Sequence, residues 1–182
     1  NVSALTNLVN LFLDQNRLTI LDVSGLSNLK ILFCSNNKLT SLNVNGSAGL
    51  KTLFCSSNEL TSLDLNGLIS LELLLCETNK LTNLNVSGLT NLKSLICSYN
   101  NLANLNLTGL TNLDQLECNY NLLTSLDVSS LSKLTKLDCF YNQITNLDLS
   151  NSTLLTELSC GENHITTLNL SGLSNLKTLA CS

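Results

Sequence analysis

The stretch LKILFCSNNKL, Leu29–Leu39, is one copy of a pattern that returns along the chain. Cysteine recurs every 21 residues, and an asparagine occupies the position three places later in each period. The cysteines are Cys34, Cys55, Cys76, Cys97, Cys118, Cys139, Cys160 and Cys181, and the asparagines are Asn16, Asn37, Asn58, Asn79, Asn100, Asn121, Asn142 and Asn163. A fixed period of about 20–29 residues is typical of a solenoid in which each repeat forms one coil. The 182 residues divided by 21 give about 8.7 coils.

The apolar residues within one period predict extended segments joined by tight corners. Their spacing is two or three residues and never follows the sustained three-four alternation of a helix. Leu32 and Cys34 therefore face one side of a strand while Phe33 faces the other. Stacked coils should pair these strands in parallel, about 4.8 Å apart. In the second half of a period, as in Leu60–Leu68, we expect a short extended or 3₁₀ segment that ends in a turn at Asn66 and Gly67.

Composition and charge restrict the class of protein. Hydrophobic residues make up 43% of the chain and aromatic residues only 4%, which favours one domain with an aliphatic, leucine-filled interior. The net charge of −4 provides no basic surface for nucleic acid. No apolar run reaches the ~18 residues of a membrane span, and the start NVSALTNLVN lacks the features of a signal peptide. We therefore expect neither a nucleic-acid partner nor direct membrane insertion.

The cysteines are interpreted as core residues. Zinc sites favour two closely spaced ligands, and these cysteines are 21 residues apart, so no metal or cofactor is expected. A catalytic thiolate needs a base, but the only histidine, His164, should lie on an exposed corner. Disulfides between coils are the competing interpretation, because eight cysteines form an even set. In-register Cβ atoms about 4.8 Å apart exceed the usual separation in a disulfide, which favours free buried thiols.

The chain resembles the leucine-rich repeat family. LKILFCSNNKL matches the repeat core LxxLxLxxNxL with cysteine at the third leucine position, and the match extends over essentially the whole chain. A 21-residue repeat with cysteine at that place is similar to the cysteine-ladder subset of internalin-like bacterial surface proteins. The resemblance implies a curved solenoid with its parallel sheet on the concave side. It also implies binding of a protein or glycan on that side, and a secreted or cell-surface location.

The candidate binding residues occupy outward strand positions. Five consecutive coils place an apolar residue between the inward leucine and cysteine positions, and aromatic residues follow the cysteine in three later coils. The candidates are Phe12, Phe33, Phe54, Leu75, Ile96, Tyr99, Tyr120, Phe140 and Tyr141. Exposed aromatic and apolar side chains often mark an interaction surface. Two alternatives stay open: the phenylalanines could stack only to stabilise the sheet, and the tyrosines could cap its edge.

The whole chain, residues 1–182, is expected to form a single solenoid domain. Asn1-Val2-Ser3 matches Asp22-Val23-Ser24 in phase, and no polar cap is visible at either end, which predicts a fragment of a longer chain. We expect a non-enzymatic adhesion or recognition module, because nothing in the chain pairs a nucleophile with a base. The alternative is a structural spacer or self-associating stalk segment.

Overall fold

The computed structural model describes Val2 and residues 4–182, so the predicted phase match at Asn1 and Ser3 lies outside the described residues. Within the described part, the chain winds into a solenoid with eleven short strands and no helix. In chain order the strands are β1 (Asn10–Phe12), β2 (Ile20–Asp22), β3 (Ile31–Phe33), β4 (Ser41–Asn43), β5 (Thr52–Phe54), β6 (Leu73–Leu75), β7 (Ser94–Ile96), β8 (Gln115–Glu117), β9 (Lys136–Asp138), β10 (Glu157–Ser159) and β11 (Thr178–Ala180). Accordingly, no described helix has the length and hydrophobicity of a bilayer span.

Nine of the described strands form one parallel sheet, in the order β1-β3-β5-β6-β7-β8-β9-β10-β11. The register advances by one repeat at every step, so that Leu32 pairs with Leu53 and Phe33 with Phe54. The predicted parallel sheet is therefore confirmed. A second, two-stranded sheet pairs β2 with β4 in the second half of the first coils, where a short extended or 3₁₀ segment was expected; the pairing of these segments was not predicted.

The interior consists of aliphatic layers with the cysteine row beside them. Inward residues such as Leu32, Leu53 and Leu74 are fully buried. Cys34 and its counterparts as far as Cys160 are buried free thiols, which confirms the predicted inward position for those residues. Cys181 is the exception, because it is exposed. It follows β11, the edge strand of the sheet, and is covered by a neighbouring coil on one side only.

Burial also controls the acidity of these thiols. Removal from water raises the pKa of Cys34 and of Cys97 to about 12 in each case. The same cause raises the pKa of Cys160 to about 11. A thiol that stays protonated at neutral pH is a poor nucleophile and a poor metal ligand. The row therefore behaves as a column of small hydrophobic side chains.

The asparagines connect each coil to the next, as their position predicts. The Asn58 side chain donates from Nδ2 to the carbonyl oxygens of Cys34 and Cys55, both at 3.0 Å. Its Oδ1 accepts a hydrogen bond from the backbone N–H of Leu39 at 2.9 Å. One side chain thereby satisfies backbone groups that leave the sheet in two coils. The same arrangement repeats in the following coils, for example at Asn79.

The convex side is thin, as predicted. Leu26 and Leu29 each donate a backbone hydrogen bond to the residue three places earlier, which produces two successive tight turns. At the turn predicted at Asn66 and Gly67, the glycine has φ of +80°, a conformation that glycine adopts without strain. Asp22 accepts a hydrogen bond from the backbone N–H of Ser24 at 2.9 Å, and this bond lowers the pKa of Asp22. The Asp22 side chain therefore satisfies a backbone N–H of the convex turn.

Candidate ligand-binding surface

The apolar row, Phe12, Phe33, Phe54, Leu75 and Ile96, lies on the concave sheet. These side chains come from the last residues of β1, β3, β5, β6 and β7, and in-register pairing places each beside the next. Phe12 is 59% exposed, and the other four side chains are half-buried. Five consecutive coils therefore present one continuous apolar strip outside the core.

The phenylalanines of the apolar row pack on one another. The rings of Phe33 and Phe54 are stacked, with centroids 4.4 Å apart and planes 7° from parallel. Phe12 meets Phe33 edge to face at 5.1 Å. Such pairs contribute about 0.5–1.5 kcal/mol beyond the burial of their area. The stacking expected under the stabilising alternative is thus present, while the outer edges of the rings remain in contact with solvent.

A second aromatic cluster, the tyrosine stack, consists of Tyr99, Tyr120 and Tyr141. Ring centroids are 4.3 Å apart for Tyr99 and Tyr120 and 4.9 Å apart for Tyr120 and Tyr141. Phe140 packs against Tyr120 at 5.7 Å, edge to face. Tyr99 and Tyr141 are each about half exposed, at 50% and 54%. Partial removal of Tyr120 from water, together with the nearby Tyr99, raises the pKa of the Tyr120 phenol.

The tyrosine stack occupies an unusual backbone position that the sequence did not reveal. Every described residue two places after the inward cysteine or its equivalent, Leu13, has a left-handed backbone, as at Tyr99 with φ of +53°. This column comprises Gln15, Asn36, Ser57, Thr78, Tyr99, Tyr120, Tyr141 and Glu162. Non-glycine residues adopt this conformation uncommonly, and β-branched residues such as Thr78 do so least often. The corner of the coil therefore imposes the geometry that projects the tyrosines from the sheet.

Charged side chains flank the apolar row and mostly neutralise one another. Glu72 accepts from Lys51 at 3.0 Å and from Lys93 at 2.6 Å, which lowers the pKa of Glu72 to about 2. Further along the sheet, Lys136 pairs with Glu117 at 2.8 Å. These pairs are partly exposed and each contributes little to stability.

The structure brings the predicted site residues into two groups instead of one. The apolar row lies in the first coils of the sheet and the tyrosine stack in the later coils, offset toward the corner. His164 is exposed, as expected for a corner residue. Among the described residues, no three His, Cys, Asp or Glu side chains come close enough together to hold a metal ion. The candidate surface is therefore a broad face with two separate side-chain clusters.

Three solved structures show how similar the whole solenoid is to known proteins. The functional domain of InlJ from Listeria monocytogenes, which includes a cysteine ladder, is 40% identical with a TM-score of 0.97. That match covers 100% of this chain and 40% of that chain. A leucine-rich repeat protein from Leptospira interrogans is 28% identical over 97% of this chain and 50% of that chain, with a TM-score of 0.87.

YopM from Yersinia enterocolitica is 30% identical, with a TM-score of 0.83. The match covers 97% of this chain and 38% of that chain. The present chain thus spans half or less of the length of each of these three proteins. No protein-family model and no curated protein sequence matches the chain.

Proposed function

The chain belongs to the leucine-rich repeat proteins that carry a cysteine ladder, and on that basis we propose that it is a recognition module whose concave face binds a protein or glycan. We place this module, residues 1–182, as one solenoid domain of a secreted or surface-attached bacterial protein. The three similar structures come from Listeria, Leptospira and Yersinia, which supports a bacterial setting. The module is non-enzymatic in this proposal, since burial raises the pKa of core thiols such as Cys34 and Cys97 and the exposed His164 lies on a corner away from them.

The observation that carries the proposal is the apolar row. Leu32, Leu53 and the other inward leucines already supply a fully buried core, so the coils do not need a second apolar strip outside it. Exposed apolar strips are uncommon on proteins that do not bind a partner there. The tyrosine stack adds rigid side chains with polar tips, which are favoured in protein interfaces.

Replacement of Phe33 and Phe54 by serine tests this proposal. The double variant should lose capture of a ligand from host-cell or bacterial surface extracts, because it removes the centre of the apolar row. Its melting temperature should fall by about 2–12 °C from the two lost ring pairs, at about 0.5–1.5 kcal/mol each and about 2–4 °C per kcal/mol, with a further fall from the half-buried apolar area.

A matched control removes two exposed apolar side chains from the convex side. Ile69 and Leu154 are 62% and 47% exposed, and the double variant Ile69→Ser with Leu154→Ser should retain ligand capture. Equal capture by the parent and the Phe33, Phe54 variant would refute the binding role. A large fall in melting temperature of that variant would assign the phenylalanines to sheet stability. Ordered oligomers in light scattering without any captured ligand would favour the spacer or stalk.

A further inference from the structure

A row of unpartnered polar side chains lies between the apolar row and the tyrosine stack. Each member directly follows an inward cysteine, so it faces the concave side. Within the described residues, the unpartnered buried atoms of this polar row are Ser56 Oγ, Glu77 Oε2, Ser98 Oγ and Asn119 Oδ1. In-register pairing of the coils places successive members about 4.8 Å apart.

Burial of these unpaired polar atoms lowers the stability of the protein. Ser56 is 7% exposed and Ser98 is 4% exposed, and their hydroxyl groups have no hydrogen-bond partner in the described structure. Most buried polar atoms in proteins are paired, and an unpaired one loses the hydrogen bonds that water would give. Four consecutive coils each carry one such atom, at Ser56, Glu77, Ser98 and Asn119. The cost is therefore concentrated at one place on the concave face.

Glu77 is distinguished by its charge. Other charged side chains of these coils are paired: Glu72 with Lys93 and Lys51, and, at the corner that follows the asparagines, Glu59 with Lys80 at 3.1 Å. The Glu77 carboxylate has no ion pair among the described residues, and one of its oxygens is shielded from solvent. A shielded carboxylate is stabilised by a cation or by several donors. The carboxylate is thus ready to accept a positively charged group.

The surroundings of Glu77 also suit an aliphatic stem. Leu75 precedes Glu77 by two residues on the same coil, and Phe54 and Ile96 lie beside Leu75 on the neighbouring strands. Lysine and arginine pack their methylene groups on apolar surface while keeping the charged end in a polar environment. Tyr99 lies one coil away in the adjoining corner column and can approach a cation with its ring.

We propose that Glu77, through the carboxylate oxygen that is not shielded from solvent, binds the side-chain cation of a lysine or arginine presented by a polypeptide partner. This inference rests on the proposed function, because it specifies the ligand of the same concave face. A polypeptide is favoured over a neutral glycan on grounds of charge. Sugar hydroxyl groups would satisfy the hydrogen bonds but leave the carboxylate without a counter-charge, whereas a lysine or arginine supplies both.

Arrays of random peptides and of glycans, probed in parallel with the labelled protein, test the inference. Peptides that bind the parent should be enriched in lysine or arginine. Glu77→Gln should weaken their binding by about tenfold or more, the scale of one lost charge-assisted contact. The matched control Glu157→Gln removes the same charge from an exposed position on the same sheet and should leave binding unchanged.

The melting temperature gives a second measurement. Loss of an unpaired, partly buried charge should leave the stability of Glu77→Gln equal to or higher than that of the parent, whereas a structural carboxylate would make it lower. A lower melting temperature, equal peptide binding by Glu77→Gln, or glycan binding without enrichment of basic peptides would overturn the inference.

Failure of the proposed function would look different. In that case neither array would bind the protein, or binding would persist in the Phe33→Ser, Phe54→Ser variant. Binding that requires the phenylalanines but not Glu77 would preserve the proposed function and refute only the role of Glu77.

Discussion

Replacement of Asn100 by alanine should reveal how much one member of the asparagine ladder contributes to stability. Asn100 Oδ1 accepts the backbone N–H of Leu81 at 3.0 Å, and its Nδ2 donates to the carbonyls of Cys76 and Cys97, both at 3.1 Å. The two carbonyls each keep a second asparagine, since Asn79 also donates to Cys76 and Asn121 to Cys97. The Leu81 N–H alone loses its partner.

The expected cost follows from that one orphaned donor. A buried N–H without a partner costs about 1–3 kcal/mol. Since a chain of this size loses about 2–4 °C per kcal/mol, Asn100→Ala should lower the melting temperature by about 2–12 °C. Circular dichroism under reducing conditions measures the melting temperature, and amide hydrogen exchange should show lost protection at Leu81.

Two variants make the reasoning refutable. Asn16 is exposed and, among the described residues, its side chain donates only within its own coil, to the carbonyls of Leu13 and Asp14, so Asn16→Ala should have a smaller effect. Asn100→Asp keeps an acceptor for Leu81 but directs a carboxylate at two carbonyl oxygens, so its loss should match or exceed that of Asn100→Ala. If Asn16→Ala and Asn100→Ala lowered stability equally, or if the Leu81 amide stayed protected, the ladder would not work as described.

Two further predictions concern the core. A thiol reagent at mildly alkaline pH should label Cys97 only after unfolding, because burial raises the pKa of Cys97 to about 12. Rapid labelling of Cys97 in the native protein would contradict its position. Ser152→Leu should raise the free energy of unfolding, measured by urea titration, by about 1 kcal/mol. Leu131 and Leu173 occupy this position in the adjacent coils, and the Ser152 hydroxyl is buried without a partner in the described structure. Ser47→Leu is the control and should gain less, since the Ser47 hydroxyl donates to Val23 at 3.2 Å; a lower stability for Ser152→Leu would mean that the coil has no room for the larger side chain.

The fold could be predicted because its information is local and repeated. The spacing of Leu32, Cys34 and Asn37 predicts two inward strand residues followed by a corner. The 21-residue period predicts that each of them contacts the equivalent residue of the next coil. Because the pattern repeats in each coil, a single departure from it, such as Ser47 in place of leucine, does not change the predicted fold. The exposed state of Cys181 was not predicted, because burial depends on the coils on both sides and not on the residue itself.

The candidate surface could be predicted only in part. Outward aromatic residues such as Phe33 are visible in the alternation of one strand, whereas the left-handed backbone at Tyr99 is imposed by the corner and has no signal in its residue type. The polar row was missed for a related reason. Ser56, Glu77 and Ser98 are ordinary surface residues by composition, and only packing against neighbouring coils removes their oxygen atoms from water.

The constant pairing of each residue with the one 21 places further along has a consequence for how such a protein can change length. If one whole period were deleted from the middle, the coils on either side of the deletion would contact each other through the same positions as before. Every leucine and asparagine would again lie beside the equivalent residue of the next coil. Loss of a single residue would instead throw all later positions out of step at that junction. Duplication or loss of DNA in multiples of one period is therefore the change that this architecture tolerates best.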